Sequence, residues 1–175
     1  MKTCFLALAV AVAAPPVGLY RTAGEFLRRQ PTLAGTDAHV TFFHRKIVVV
    51  NRSPAGVYRT KFAFESAWGY VDEDRCVWRV QRNDVYQLRQ TADSLAIYSQ
   101  YVGGKYPHTD YYFSNGLAGA VKSLGVKELT RTFSTSNPRF VQLLDALRWH
   151  QGLTGAVPGS ADYRVVALYR QAAAR

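Results

Sequence analysis

The pattern of apolar and polar residues divides the chain into a strand-forming half and a helical half. From Val40 to Phe113, apolar residues recur at every second position and are mostly Val, Ile, Phe, Tyr and Trp, as in strands with one buried face. Turn residues interrupt this stretch at intervals of about 8 to 12 residues. Gly69, between Trp68 and Tyr70, indicates a bulge or a close approach of two backbones. The pattern predicts an antiparallel β-meander over residues 39–114, with about six to seven strands in a curved sheet or a partly open barrel.

After Ser114-Asn115-Gly116 the apolar spacing becomes helical. One helix is predicted over residues 126–133, and another begins where Asn137 can cap it and Pro138 takes the first helical position. The apolar stripe of this second helix has the i, i+3, i+4, i+7 spacing and consists of Phe140, Leu143, Leu144 and Leu147. A last helix is predicted over residues 162–173, with the alternative that this segment begins as a strand. The expected fold is therefore α+β: a single domain over residues 39–175 whose helical part, residues 117–175, packs on the sheet.

Residues 14–38 are predicted to form an N-terminal helix and a connector. Thr22 and Glu25 have the capping-box spacing, in which the hydroxyl and the carboxylate accept hydrogen bonds from the backbone of the first turn. Pro31 ends this helix, and Gly35 lies in the polar connector that follows it.

The first 13 residues have the features of a signal peptide. Lys2 supplies a positive charge, Cys4 to Val12 is an uninterrupted apolar stretch, and Ala11-Val12-Ala13 offers the small residues that signal peptidase accepts. The stretch is far shorter than the roughly 20 residues of a membrane-spanning helix, so no transmembrane segment is expected after its removal. We therefore expect a mature chain that starts near Ala14 and a periplasmic or secreted location. The alternative is a buried N-terminal strand or helix of an intracellular protein.

Charge argues against nucleic acid as a partner. The chain has 22 Lys and Arg against 12 Asp and Glu, a formal net charge of +10. The basic residues are spread from Arg21 to Arg175, whereas a nucleic-acid footprint is usually clustered on one face. The excess is expected to favour solubility and attraction to anionic surfaces in general.

Recognisable catalytic, metal and cofactor motifs are absent from the sequence. The histidines His39, His44, His108 and His150 do not stand at metal-ligand spacing, and there is no phosphate loop, dinucleotide fingerprint or nucleophile elbow. Cys76 alternates with Trp78 and Val80, as a small buried residue of a strand would. We therefore predict no catalytic residue, no metal site and no cofactor.

The densest group of candidate binding residues is tyrosine-rich. Tyrosine combines an apolar body with a polar tip, and beside Arg it suits binding of sugars, peptides or flat anionic ligands at an exposed sheet face. The group comprises Tyr98, Tyr101, Tyr106, Tyr111 and Tyr112, beside Arg79, Arg82 and Arg89. We hypothesise that Tyr98, Tyr112 and Arg79 face a common ligand-binding groove. The alternative is ordinary aromatic packing on both faces of a strand.

Several stretches of the sequence resemble uncharacterised exported proteins of environmental Gram-negative bacteria, for which no activity is assigned. These stretches are Tyr20-Arg21-Thr22-Ala23, Gly35-Thr36-Asp37-Ala38-His39-Val40-Thr41-Phe42-Phe43, Ser66-Ala67-Trp68-Gly69-Tyr70 and Asp110-Tyr111-Tyr112-Phe113-Ser114. The resemblance implies export and the order of strands before helices. It implies no catalytic residue.

Taken together, these patterns favour an exported, non-enzymatic binding module or envelope-associated structural module. Its expected partner is a small ligand, a glycan or another envelope protein. Two alternatives stay open at this point: a hydrolase or transferase without a recognisable motif, and an intracellular lipid-binding barrel of the pleckstrin-homology type.

Overall fold

The computed structural model describes residues 14–41, 45–147 and 152–174. The predicted signal peptide, residues 1–13, and the predicted strand position Phe42 lie outside the described residues. In chain order the elements are β1 (Gly18–Tyr20), α1 (Ala23–Leu27), β2 (Leu33–Ala34), β3 (Asp37–Thr41), β4 (Lys46–Ser53), β5 (Gly56–Ala63), a 3-10 turn (Phe64–Ser66), β6 (Gly69–Val71), β7 (Val77–Gln81), β8 (Asp84–Ala92), β9 (Leu95–Val102), β10 (His108–Asn115), β11 (Lys122–Ser123), α2 (Val126–Phe133), α3 (Pro138–Asp145) and α4 (Arg164–Ala173).

The predicted α+β class and the antiparallel meander are confirmed. The main sheet has eight strands in the order β11-β10-β9-β8-β7-β6-β1-β2, and each pair of neighbours is antiparallel. Strands β6 to β11 follow each other both in sequence and in space, because short turns join them. The sheet stays open and does not close into a barrel.

A second sheet was not predicted. Strands β3, β4 and β5 form a separate three-stranded antiparallel sheet in the order β3-β4-β5. The turn between the second and third of these strands is tight, because β4 continues to Ser53 and β5 begins at Gly56. The described residues thus hold more strands than the six to seven of the prediction, and they lie in two sheets rather than one meander.

The N-terminal region also contributes strands to the main sheet. Besides the predicted helix, residues 14–38 contain β1 and β2, which pair with each other and, through β1, with β6. A strand of three residues shows too little alternation to be recognised in a sequence. The helix itself begins as predicted: Thr22 Oγ1 accepts a hydrogen bond from Glu25 N at 3.1 Å, and Glu25 Oε2 accepts one from Arg21 N at 2.7 Å.

The two faces of the main sheet are covered by different elements. We call the side that carries Trp78, Gln87, Ser99 and Tyr111 the front face, since these residues oppose one another from β7 to β10. The helices cover one end of the front face, where the core contains Ile97, Phe113, Leu129, Phe133, Phe140, Val165 and Tyr169. The three-stranded sheet covers the other end, where the core contains Ile47, Val49, Tyr70, Val80 and Val85.

The opposite side is the back face, defined by Arg79, Tyr86, Leu88, Tyr98 and Tyr112, which oppose one another across the same strands. Helix α1 covers one part of it, with Phe26 stacked on Trp68 at 4.9 Å between ring centroids. The segment with Leu117 and Val121 covers the rest.

The predicted helices match the structure closely. Asn137 Oδ1 accepts a hydrogen bond from Phe140 N at 3.1 Å, and Pro138 is the first residue of α3. Phe140 and Leu144 of the predicted stripe are fully buried, and Leu143 and Leu147 are partly buried against the same core. This stripe anchors α3 to its neighbours, as its spacing required.

Candidate functional site

An open groove of about 800 Å³ lies on the front face, between the part that the three-stranded sheet covers and the part that the helices cover. Its floor is formed by β8, β9 and β10, through Gln87, Ser99, Tyr101, Thr109 and Tyr111. Its wall is formed by β3 and by the loop between β6 and β7. The groove exists because the second sheet packs mainly on β1, β6 and β7, whereas the helices pack on one end of β8, β9 and β10. The rest of β8 to β10 is left uncovered.

An aromatic pair borders the groove at β6 and β7. The rings of Tyr70 and Trp78 stack with centroids 6.1 Å apart and planes at 13°. Trp78 Nε1 donates a hydrogen bond to Asp72 Oδ2 at 2.7 Å, and Cys76 N donates one to Asp72 Oδ1 at 2.8 Å. Burial raises the pKa of Tyr70, and the nearby carboxylates of Asp72 and Asp37 raise it further. The loop carboxylate thus fixes the indole in one orientation beside the groove.

The floor is polar, with one aromatic side chain almost free of packing. Arg89 Nη1 donates a hydrogen bond to Gln87 Oε1 at 2.8 Å. Tyr101 is 72% exposed, so its ring is available to a ligand. Tyr111 packs edge-on against Tyr163, with ring centroids 5.7 Å apart, and burial and this neighbour raise the pKa of Tyr111. Tyr163 directly precedes α4, so the contact joins the groove floor to the helices.

The strand that contributes to this wall is an edge strand. β3 pairs only with β4 in its sheet, and its residues Asp37, Ala38, His39 and Val40 line the groove. His39 Nδ1 and Asp37 Oδ2 are 2.8 Å apart, a hydrogen bond in which the ring nitrogen donates to the carboxylate. Among the described hydrogen bonds, the His39 ring is joined to Asp37 alone.

The charge of the groove is opposite to that of the whole chain. Its carboxylates are Asp37, Asp72, Glu73 and Asp74, whereas Arg89 is the single Lys or Arg among the described lining residues. The chain as a whole carries +10. Like-charge repulsion in this groove disfavours anionic ligands, and the arrangement suits a neutral or cationic one.

The three residues that were predicted from the sequence to bind a ligand lie near one another, but on the back face. Tyr98 directly opposes Tyr112 across β9 and β10, and Arg79 opposes Tyr86 across β7 and β8. Tyr98 is fully buried, and its hydroxyl is 3.0 Å from Ser114 Oγ. Burial raises the pKa of Tyr98. Tyr112 packs edge-on against Tyr86, with ring centroids 4.8 Å apart.

Arg79 is engaged with the backbone and with an indole. Its Nη1 donates hydrogen bonds to Trp68 O at 2.7 Å and to Val80 O at 3.0 Å, and its guanidinium lies 5.2 Å from the Trp68 ring centroid. Burial lowers the pKa of this guanidinium. Tyr98 and Arg79 thus act as packing groups, and a ligand-binding role for them and Tyr112 stays a prediction. The groove residues that the ligand-binding hypothesis missed come from separate segments of the chain, so no local sequence motif identifies them.

Within residues 14–41, 45–147 and 152–174, no group of three or more His, Cys, Asp or Glu residues could hold a metal ion. In the same part of the chain, no helix combines the length and the apolar character needed to cross a bilayer. Comparisons with protein-family models, with curated proteins and with solved structures find no match.

Proposed function

We propose that this chain is an exported, non-enzymatic binding protein, periplasmic or secreted, whose front-face groove binds a segment of a neutral glycan. The observation that carries the proposal is the groove itself, an open cleft of about 800 Å³ with aromatic and hydrogen-bonding side chains from both sheets. This volume falls within the range of roughly 300 to 1,000 Å³ that is typical of ligand pockets.

Three properties of the lining favour a glycan among the ligands considered. Tyr101 and Trp78 present aromatic surface, which packs on the apolar faces of sugar rings. Gln87, Ser99 and Thr109 offer both donors and acceptors, which match hydroxyl groups in either role. The excess of carboxylates over Arg89 disfavours a ligand rich in carboxylate or phosphate.

Export rests on the N-terminal sequence. Its test is the intact mass of the natively expressed protein, which should correspond to a mature chain that starts near Ala14. Replacing Ala13 by Leu removes a small residue that signal peptidase needs, so an Ala13→Leu variant is expected to keep its leader. An unprocessed wild-type chain would contradict the proposed export and leave the binding proposal standing.

Binding is tested by calorimetric titration with soluble neutral oligosaccharides, namely cellohexaose, chitohexaose and maltohexaose. At least one of them should bind, and Tyr101→Ala should weaken that binding by about fivefold, corresponding to roughly 1 kcal/mol of lost aromatic contact. Tyr106→Ala is the matched control, because Tyr106 is 76% exposed, belongs to the neighbouring loop and does not line the groove.

Two outcomes would contradict the proposal. Absence of binding to all three oligosaccharides would contradict a glycan as the ligand. Equal losses of affinity in the Tyr101→Ala and Tyr106→Ala variants would contradict the groove as the binding site. Chromatography of the same mixtures after incubation tests the enzymatic alternative, since shortened oligosaccharides would identify the protein as a hydrolase.

A further inference from the structure

The β4–β5 hairpin extends beyond the packed body of the protein. At its base, Ile47 and Val49 of β4 are buried in the core between the two sheets. Further out, every residue from 51 to 61 is exposed. We call residues 51–61 the hairpin tip. An exposed segment of this length, held by a buried base, is a protrusion that can meet a surface without disturbing the fold.

The hairpin tip carries exposed apolar side chains. Val57 is 52% exposed and Tyr58 is 60% exposed, and both follow the turn that contains Pro54 and Ala55. Neither of these two adjacent hydrophobic residues belongs to a buried core cluster of the described residues. Tyrosine is also enriched where a protein meets the polar boundary of a membrane, because one end of its side chain is apolar and the other is polar.

Basic residues surround this apolar turn. From residue 45 to residue 61 the chain has no Asp or Glu, and its basic residues are Arg45, Lys46, Arg52, Arg59 and Lys61. The register of β4 and β5 places Arg59 opposite Val50, Lys61 opposite Val48, and Arg52 opposite Val57, so these basic residues share one face of the hairpin.

Nearby carboxylates neutralise this charge only weakly. Arg52 Nη1 lies 3.9 Å from Glu73 Oε2, and the two side chains are 59% and 60% exposed. Solvent therefore screens this ion pair, and the attraction between the two charges is weak. Asp37 shares the basic face from β3 and supplies one negative charge there, against the three positive charges of Arg52, Arg59 and Lys61. The hairpin therefore presents net positive charge.

We infer that the hairpin tip docks on an anionic phospholipid surface, with Val57 and Tyr58 in the headgroup region and Arg52, Arg59 and Lys61 against lipid phosphates. The combination of an apolar turn and flanking cations matches the two attractions that hold peripheral proteins on membranes. A second copy paired along β5 is a weaker candidate, because Arg and Lys on an edge strand oppose strand-to-strand association.

The experiment is co-sedimentation of the full chain with vesicles of phosphatidylglycerol and phosphatidylcholine, compared with vesicles of phosphatidylcholine alone. Binding is expected only to the anionic vesicles and should weaken as salt is raised. The triple variant Arg52→Gln/Arg59→Gln/Lys61→Gln should bind about a hundredfold more weakly, from about 1 kcal/mol for each basic residue near the surface. Val57→Ser/Tyr58→Ser should also lower binding, because it removes the apolar turn.

The matched control is Arg28→Gln/Arg29→Gln/Lys127→Gln, which removes the same net charge from exposed positions outside the hairpin. It should retain most of the binding. Equal losses in the two triple variants would show attraction by net charge alone and would overturn the proposal, as would absence of binding to anionic vesicles. Sedimentation equilibrium without lipid gives a third test: a dimer that the Val57→Ser/Tyr58→Ser variant abolishes, combined with no vesicle binding, would assign the tip to self-association.

Discussion

Replacing Phe133 by Ala is the substitution that tests most severely how the helices are held on the sheet. Phe133, the last residue of α2, is fully buried, and its ring lies 6.2 Å from the Phe113 ring of β10. Its ring also lies 5.5 Å from Phe140 of α3 and 5.5 Å from Tyr169 of α4. One side chain thus touches the sheet and each of the other two C-terminal helices.

The expected cost follows from the cavity that the truncation leaves. Phe→Ala substitutions in a core lower the free energy of unfolding by about 3 to 5 kcal/mol, out of a total of about 5 to 15 kcal/mol for a typical domain. At about 2 to 4 °C per kcal/mol for a chain of this size, the midpoint of thermal unfolding should fall by roughly 6 to 20 °C. Phe133→Leu keeps more apolar volume and should lower the free energy of unfolding by less. It still gives a measurement if the Phe133→Ala variant does not fold.

The assay is urea unfolding followed by circular dichroism and tryptophan fluorescence, which should report a single transition if helices and sheet unfold together. Val126→Ala is the control, because Val126 lies in the same helix but is 40% exposed, so its loss should stay within about 0.5 kcal/mol. A loss below about 1 kcal/mol for Phe133→Ala would refute the packing described here, because a buried aromatic ring cannot be removed from a close-packed core at so small a cost.

Three further predictions concern the main sheet. Tyr98→Phe should cost about 1 kcal/mol in urea unfolding, because it removes the buried hydrogen bond to Ser114, and an unchanged midpoint would speak against that bond. Gly69→Ala should lower the free energy of unfolding by about 1 to 3 kcal/mol, because a Cβ at position 69 would lie 2.1 Å from Trp78 O. Gly152→Ala should leave it nearly unchanged, because a Cβ at position 152 would meet open space, and equal losses in the two variants would contradict this. Burial raises the pKa of Tyr86 from 10.0 to about 12, so its stabilising contribution is complete below pH 10 and is lost between pH 10 and 12. The difference between the absorbance titrations of the wild type and of Tyr86→Phe should have its midpoint near pH 12, and a midpoint near pH 10 would refute the assignment.

Local patterns predicted the elements whose stabilising contacts are close in sequence. The cap and first-turn proline of α3 lie within four residues of each other, and its apolar stripe repeats over two turns, so the sequence alone defines its start and its buried side. Gly69 was predicted to mark a bulge or a close backbone approach, and the close approach to Trp78 O is confirmed. Strands β1 and β2 were missed because their pairing partners, not their own sequences, define them.

The division into two sheets, and with it the groove, depends on contacts that are distant in sequence. Alternation correctly puts Tyr98 and Tyr101 of β9 on opposite faces, but both faces of this strand carry aromatic residues. Which face stays open is decided by the elements that pack on each side, namely the three-stranded sheet, the helices and the Leu117 segment. For this reason the hypothesis chose the buried Tyr98 rather than the exposed Tyr101.

The central proposal, that the front-face groove is the ligand site, is tested most directly by the indole signals of two tryptophans in a proton–nitrogen NMR titration. Trp78 Nε1 donates to Asp72 at the groove, whereas Trp68 Nε1 donates to Leu117 O on the back face. Trp78→Phe and Trp68→Phe variants assign the two signals. Addition of the oligosaccharide that binds in calorimetry should shift the Trp78 signal and leave the Trp68 signal in place. A shift of the Trp68 signal with an unmoved Trp78 signal would contradict the proposal and move the site to the back face.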